Sequence, residues 1–221
     1  MTAADKQGAE LDAALERACS RLPFEVSQRQ QQTLLGYVRL LVRWNATYNL
    51  TSVRNPLEMV TQHLADALSV IGPLRAKLPV RAGKSLLDVG TGAGLPGLVI
   101  AALEPELQVT CIDTVGKKIA FVRQAIGELG LENVAAVHGR VEQARQPQVD
   151  VVCARAFSSL GDLAQWTRHL LLPSGIWMAM KGRHPADEMA ALPADVRVFH
   201  VEHIDVPGMD AERCIVWMRP A

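Results

Sequence analysis

The chain has 221 residues, 49% of them apolar, and its 23 Lys and Arg balance its 23 Asp and Glu. That is enough hydrophobic material for one substantial domain with a small appendage, and too much for a disordered chain. A net charge of zero provides no global pull toward nucleic acid, so any polyanion site must be local. The longest apolar stretches, such as residues 95–103, are far too short for a membrane span, and the polar segment 1–10 lacks a signal-peptide core. A cytoplasmic protein with no membrane partner is expected. Cys19, Cys111, Cys153 and Cys214 form no CxxC and have no His at ligand spacing, which favours buried thiols over a disulfide framework or a metal site.

Leu34, Leu35, Val38, Leu41 and Val42 recur on one helical face, and a loop over residues 45–56 follows. A second helix over residues 57–71 turns Met59, Leu64 and Leu68 inward. Near residue 80 the character changes to short apolar runs separated by helical stretches, the alternation of a parallel sheet covered on both faces. The chain therefore divides into an N-terminal helical segment, 1–80, packed on the core, and a Rossmann-like domain, 81–221. Five parallel strands are predicted at 86–89, 109–112, 134–137, 149–153 and 176–180. Between the second and third, Val115, Ile119, Val122, Ile126 and Leu129 step by three and four, and Gly130 stands where a left-handed cap would end that helix. Residues 196–204 and 214–218 leave no room for a crossover helix and should pair antiparallel. The expected fold is α/β: a mostly parallel, seven-stranded, Rossmann-like sheet of the class I methyltransferase kind, its last strand antiparallel, with an N-terminal helical extension.

The segment Ser85-Leu-Leu-Asp88-Val-Gly90-Thr-Gly92-Ala-Gly94-Leu95-Pro-Gly97 reads as a buried strand, a Gly-rich turn and a helix opening near Pro96. Glycines at 90, 92 and 94 permit positive φ and let a ligand lie against the backbone at the strand's carboxyl edge. Gly92, Gly94 and Gly97 also satisfy GxGxxG, with Asp113 about 20 residues beyond, as a dinucleotide site would have it. Asp88, a strand-end carboxylate that could reach the cofactor or fix the loop, tilts the choice. Its charge would repel a diphosphate, whereas the sulfonium and ammonium of S-adenosylmethionine welcome it. Asp113, at the end of the second strand, has two oxygens for both hydroxyls of a ribose, or for capping the next helix. A nicotinamide-binding module and a methyltransferase for a small molecule or protein stay as alternatives.

Trp44-Asn45 with Tyr48-Asn49-Leu50-Thr51, His63 with Asp66, the loop 88–97, Arg155-Ala-Phe157 with Leu160, and Lys181-Gly182 together resemble the RsmG (GidB) family of bacterial small-subunit ribosomal RNA methyltransferases. The resemblance covers most of the chain from Trp44 onward. It implies S-adenosylmethionine as cofactor, and methylation of guanine N7 at nucleotide 527 in the 530 loop of 16S rRNA, in the small ribosomal subunit or its precursor. It also implies that Gly90, Leu95, Val141, Glu142 and Arg155 line the cofactor pocket. Arg155, just past the fourth strand, suits a carboxylate, a phosphate or guanine O6. Lys181 ends the fifth strand and forms a local positive cluster with Arg183 and His184. These two are the candidate catalytic residues. Arg39, Arg43 and Arg54 alternate with Trp44 and Tyr48 in a stretch without acids, where they either face RNA or simply solvate a helix. Lys117, Lys118 and Arg123 are solvent-face charges by periodicity. A monomer is favoured.

Overall fold

The computed structural model describes residues 3–79 and 83–221; the boundary expected near residue 80 lies outside the described residues. Helix α1 (Ala3–Cys19) precedes α2 (Gln28–Tyr48), which opens with a capping box: the Ser27 hydroxyl accepts from the Gln30 N–H, and the Gln30 side chain accepts from the Ser27 N–H. Helix α2 ends at Asn49, whose φ of 48° places it in the left-handed region that asparagine tolerates. The predicted loop therefore begins four residues later than expected, because Asn45 is a buried part of the last turn. Its amide donates to the Val53 carbonyl and accepts from the Thr51 N–H, folding residues 49–53 back over the helix end. Asn45→Ala strands both backbone groups, and an expected loss of about 2 kcal/mol should appear in urea unfolding as a lower midpoint at unchanged m-value.

Helix α3 (Pro56–Met59) runs through a π-helical stretch (Val60–Ala65) into α4 (Asp66–Leu68), followed by α5 (Ile71–Lys77). Met59, Leu64 and Leu68 are all buried, as their spacing requires. The π-helical widening sits beneath His63 and Asp66, and such widenings concentrate at functional sites.

Strands and helices then alternate: β1 (Ser85–Val89), α6 (Gly97–Leu103), β2 (Gln108–Asp113), α7 (Gly116–Leu129), β3 (Val134–His138), β4 (Val149–Arg155), α8 (Leu160–Thr167), β5 (Leu171–Lys181), α9 (Ala186–Ala190), β6 (Val196–His203) and β7 (Cys214–Pro220). The sheet order is β3-β2-β1-β4-β5-β7-β6, with β1 to β5 parallel and β7 antiparallel to both neighbours. The buried runs 86–89 in β1 and 151–154 in β4 follow from their central place, since helices cover both faces. Gly130 caps α7 at φ 63° as predicted. Strand β5 begins five residues earlier than the sequence suggests. The added residues carry a bulge: Leu171 pairs with Val149 and Ile176 with Val151.

The N-terminal helices contribute to the same hydrophobic core as α6, α7 and one face of the sheet. All four cysteines are free and buried. No helix among the described residues is long and apolar enough to cross a membrane, and no grouping of His, Cys, Asp and Glu among them could hold a metal ion.

Candidate functional site

The Gly-rich loop leaves β1 at the carboxyl edge of the sheet, where open α/β folds bind ligands. Gly90, Gly92 and Gly94 all have positive φ. Beneath them Asp88 is fully buried. One of its oxygens accepts from both the Thr91 hydroxyl and the Gly97 N–H, and the other accepts from the Cys153 thiol. Burial pushes the Asp88 carboxyl above its ordinary value, against the hydrogen bonds from Thr91 and Gly97 and the nearby Arg155 charge. Its geometry fixes the loop from below. Gly97 has no room for a side chain: a Cβ there would stand 2.6 Å from Cys111 Sγ and 2.7 Å from Asp88 Oδ2. From above, the buried Tyr37 of α2 donates to the Ala93 carbonyl at 2.8 Å, tying the N-terminal helices to the loop.

Two cavities open along this edge. The smaller, about 230 Å³, is lined by Gly90, Ile112, Asp113, Val141, Glu142 and Trp166 among others, with Phe157 against Trp166 edge-on. It brings together four of the residues expected to hold a cofactor. Asp113 accepts from the Gly92 N–H at 2.9 Å with one oxygen and from the Val115 N–H at 2.8 Å with the other. Each oxygen keeps a second lone pair, so Asp113 both shapes the loop and remains an acceptor toward the cavity. Gly92, Gly94 and the buried Leu95 form the loop itself and, like Asp88 beneath them, do not line this cavity. Gly94 is needed for packing, since a Cβ there would collide with Leu98.

The larger cavity, about 780 Å³, is lined by Ser52 and Val53 from the loop after α2, His63 and Asp66, Arg155 and Ala156, Lys181, and Arg213 just before β7. Asp66 is nearly buried and bridges two arginines, accepting from Arg155 at 3.1 Å and from Arg213 at 3.0 Å. His63 meets the Thr51 hydroxyl at 2.8 Å, while its Nδ1 is buried without a partner. Burial and the Arg155 charge hold His63 below its ordinary pKa. Lys181 is not the free cation its sequence neighbourhood suggested. Both oxygens of Glu188, from α9, lie within 3.0 Å of its ammonium, and Glu188 also accepts from the Leu160 N–H at the start of α8. Ala156 stands where the two cavities meet. It has φ 56°, unusual for a residue with a Cβ, and its neighbours Arg155 and Phe157 line different cavities.

Sequence reasoning missed Arg213, Glu188 and Trp166 because no local pattern marks them. Arg39, Arg43 and Arg54, whose stretch allows either an RNA-facing surface or plain solvation, have different partners. Arg39 pairs with Asp12 and Arg43 with Glu128, whereas Arg54 donates to the Asn49 side chain. Cys153 is fully buried in β4, and burial raises its thiol pKa well above the ordinary value.

A dinucleotide-binding sheet runs in the order 3-2-1-4-5-6; insertion of the antiparallel β7 between β5 and β6, together with the Gly-rich loop after β1 and the carboxylate that ends β2, defines a class I S-adenosylmethionine-dependent methyltransferase fold. TrmN from Thermus thermophilus shares it over 77% of this chain and 55% of its own, with a TM-score of 0.58 and 21% identity. A SAM-dependent methyltransferase from Aquifex aeolicus matches over 69% of this chain and 90% of its own, with a TM-score of 0.52 and 18% identity.

Residues 30–216 match the GidB family, described as rRNA small subunit methyltransferase G, and the chain belongs to that family. It is 51% identical over 217 residues to the ribosomal RNA small subunit methyltransferase G of Acidovorax ebreus, covering 95% of this chain and 96% of the relative. To the protein of that name from Leptothrix cholodnii it is 55% identical over 195 residues, with 88% and 89% covered.

Proposed function

We propose that this protein transfers the methyl group of S-adenosylmethionine to N7 of a guanine in 16S rRNA, nucleotide 527 of the 530 loop. It acts as a cytoplasmic enzyme on the small ribosomal subunit or its precursor. The observation that carries this reading is the pair of adjoining cavities at one sheet edge, parted by Arg155-Ala156-Phe157, in a chain of this family.

The smaller cavity fits the nucleoside part of the cofactor. Its walls include Ile112, Val141, Phe157 and Trp166, Asp113 offers acceptors suited to ribose hydroxyls, and Gly90 leaves open the space where a side chain would point at Phe157. When bound, S-adenosylmethionine supplies a methyl group on a sulfonium, which requires only an aligned lone pair. Guanine N7 carries such a pair in the ring plane, so no side chain has to remove a proton. The work of the larger cavity is positioning. Arg155, held through Nη1 by Asp66, keeps its remaining N–H groups for guanine O6. Lys181, bound to Glu188, sets the backbone that carries Phe157 and Leu160.

Labelled methyl transfer to small subunits from a strain lacking the modification tests the proposal. Label recovered as 7-methylguanosine in the 530 loop is the expected result; cofactor binding without RNA labelling would discard the substrate assignment. Asp113→Ala should weaken cofactor binding by at least about ten-fold in calorimetric titration, since it removes charge-assisted hydrogen bonds.

A further inference from the structure

Of the ten aromatic side chains, Tyr48 alone is more than a third exposed, at 45%. Beneath it runs a short ladder of rings. Tyr48 lies on Trp44 with centroids 4.9 Å apart and planes tilted by 36°, and Trp44 meets the buried Phe121 edge-on at 5.7 Å. One end of the ladder is anchored in the core and the other is in solvent, so the exposed ring is held in place before any ligand arrives.

The charges around it are arranged unlike those elsewhere on α2. Arg43 and Arg39, five and nine residues back along the helix, are neutralised by Glu128 and Asp12. Lys117, at the start of α7, donates to the Tyr48 carbonyl at 2.8 Å, and Arg54 donates to Asn49 at 3.2 Å. Both are exposed, and among the described residues neither is paired with a carboxylate. In a chain of zero net charge this leaves positive potential where the ring is presented. The position also matters. Ser52 and Val53, lining the larger cavity, are four and five residues from Tyr48, so the ring stands within about 18 Å of chain from the cavity mouth.

We propose that Tyr48, backed by Trp44 and flanked by Lys117 and Arg54, is a stacking platform for an unpaired base of RNA lying next to the nucleotide that enters the larger cavity. The inference rests on RNA being the substrate. A fixed aromatic face takes any base, and the two cations meet the phosphates on either side of it. The platform thereby positions a single-stranded segment without reading its sequence, leaving guanine selection to the cavity.

The test compares Tyr48→Ala, Tyr48→Leu and Tyr48→Phe in methyl transfer to small subunits lacking the modification, with cofactor affinity and Tm measured alongside. Alanine and leucine should raise KM for the subunit about ten-fold or more, with kcat, cofactor affinity and Tm near the wild type, and phenylalanine should stay within about two-fold. Arg54→Gln should reduce the slope of log affinity against log salt by about 0.7, the share of one phosphate on a single strand. Wild-type KM in Tyr48→Ala, or in Tyr48→Leu, would overturn the platform while the wild-type enzyme still labels RNA. Absence of any RNA labelling by the wild type would instead bring down the substrate reading, and the platform with it.

Discussion

Replacing Asp88 by alanine is expected to cost about 4 kcal/mol of stability and to abolish cofactor binding. The Gly97 N–H and the Thr91 hydroxyl would be left buried without an acceptor, at about 1–3 kcal/mol each, and a cavity would open under the loop. Chemical unfolding and cofactor titration measure the two effects. Asp88→Asn separates shape from charge, because an amide oxygen can still accept from both donors. Burial raises the Asp88 pKa in the folded protein, so the unfolded chain releases this proton first as pH rises. The stability it contributes is complete below about pH 4, the ordinary carboxyl range, and is lost as pH climbs through the folded value. Thermal unfolding of Asp88→Asn from pH 4 upward should therefore fall less steeply than that of the wild type. An identical pH profile for the two would show that Asp88 is ionised throughout.

The second large effect is expected at Asp66. Asp66→Ala leaves Arg155 and Arg213 side by side without their shared carboxylate. Because both arginines are a quarter or more exposed, solvent screens them, and the stability cost should be about 2 kcal/mol, less than for a fully buried pair. The larger loss should be kinetic. A displacement of Arg155 by about an ångström is enough for a roughly hundred-fold fall in kcat, while cofactor affinity, which the proposal assigns to the other cavity, should stay within a few-fold. Arg213→Ala should do less, since Arg155 keeps its carboxylate. Equal losses of transfer and cofactor affinity in Asp66→Ala would mean that Arg155 serves the cofactor instead of the base.

The Gly-rich loop, Asp113, the α7 repeat and its Gly130 cap were legible in the sequence because each is local: a turn, a strand end or a helical period is written within a few residues. The antiparallel pairing of β6 and β7 followed from the short distance between them. The start of β5 was not legible, since its bulge depends on the pairing with β4. Asp113 was read correctly as a strand-end acid, but its double use, as loop brace and as cavity acceptor, depends on where Gly92 and Val115 come to lie.

What the sequence by itself determined, then, is the order of elements, the mostly parallel sheet, the loop that follows β1 and the family to which the chain belongs. The tertiary structure alone decided which side chains meet. Asp66 and Arg213 are 147 residues apart, Tyr37 and Ala93 are 56 apart, and Asp88, read as reaching a cofactor or fixing the loop, is enclosed where it braces the loop from below. The physical reason is that hydrophobic periodicity and turn chemistry act over a few residues, whereas burial and ion pairing are settled only when distant segments pack together.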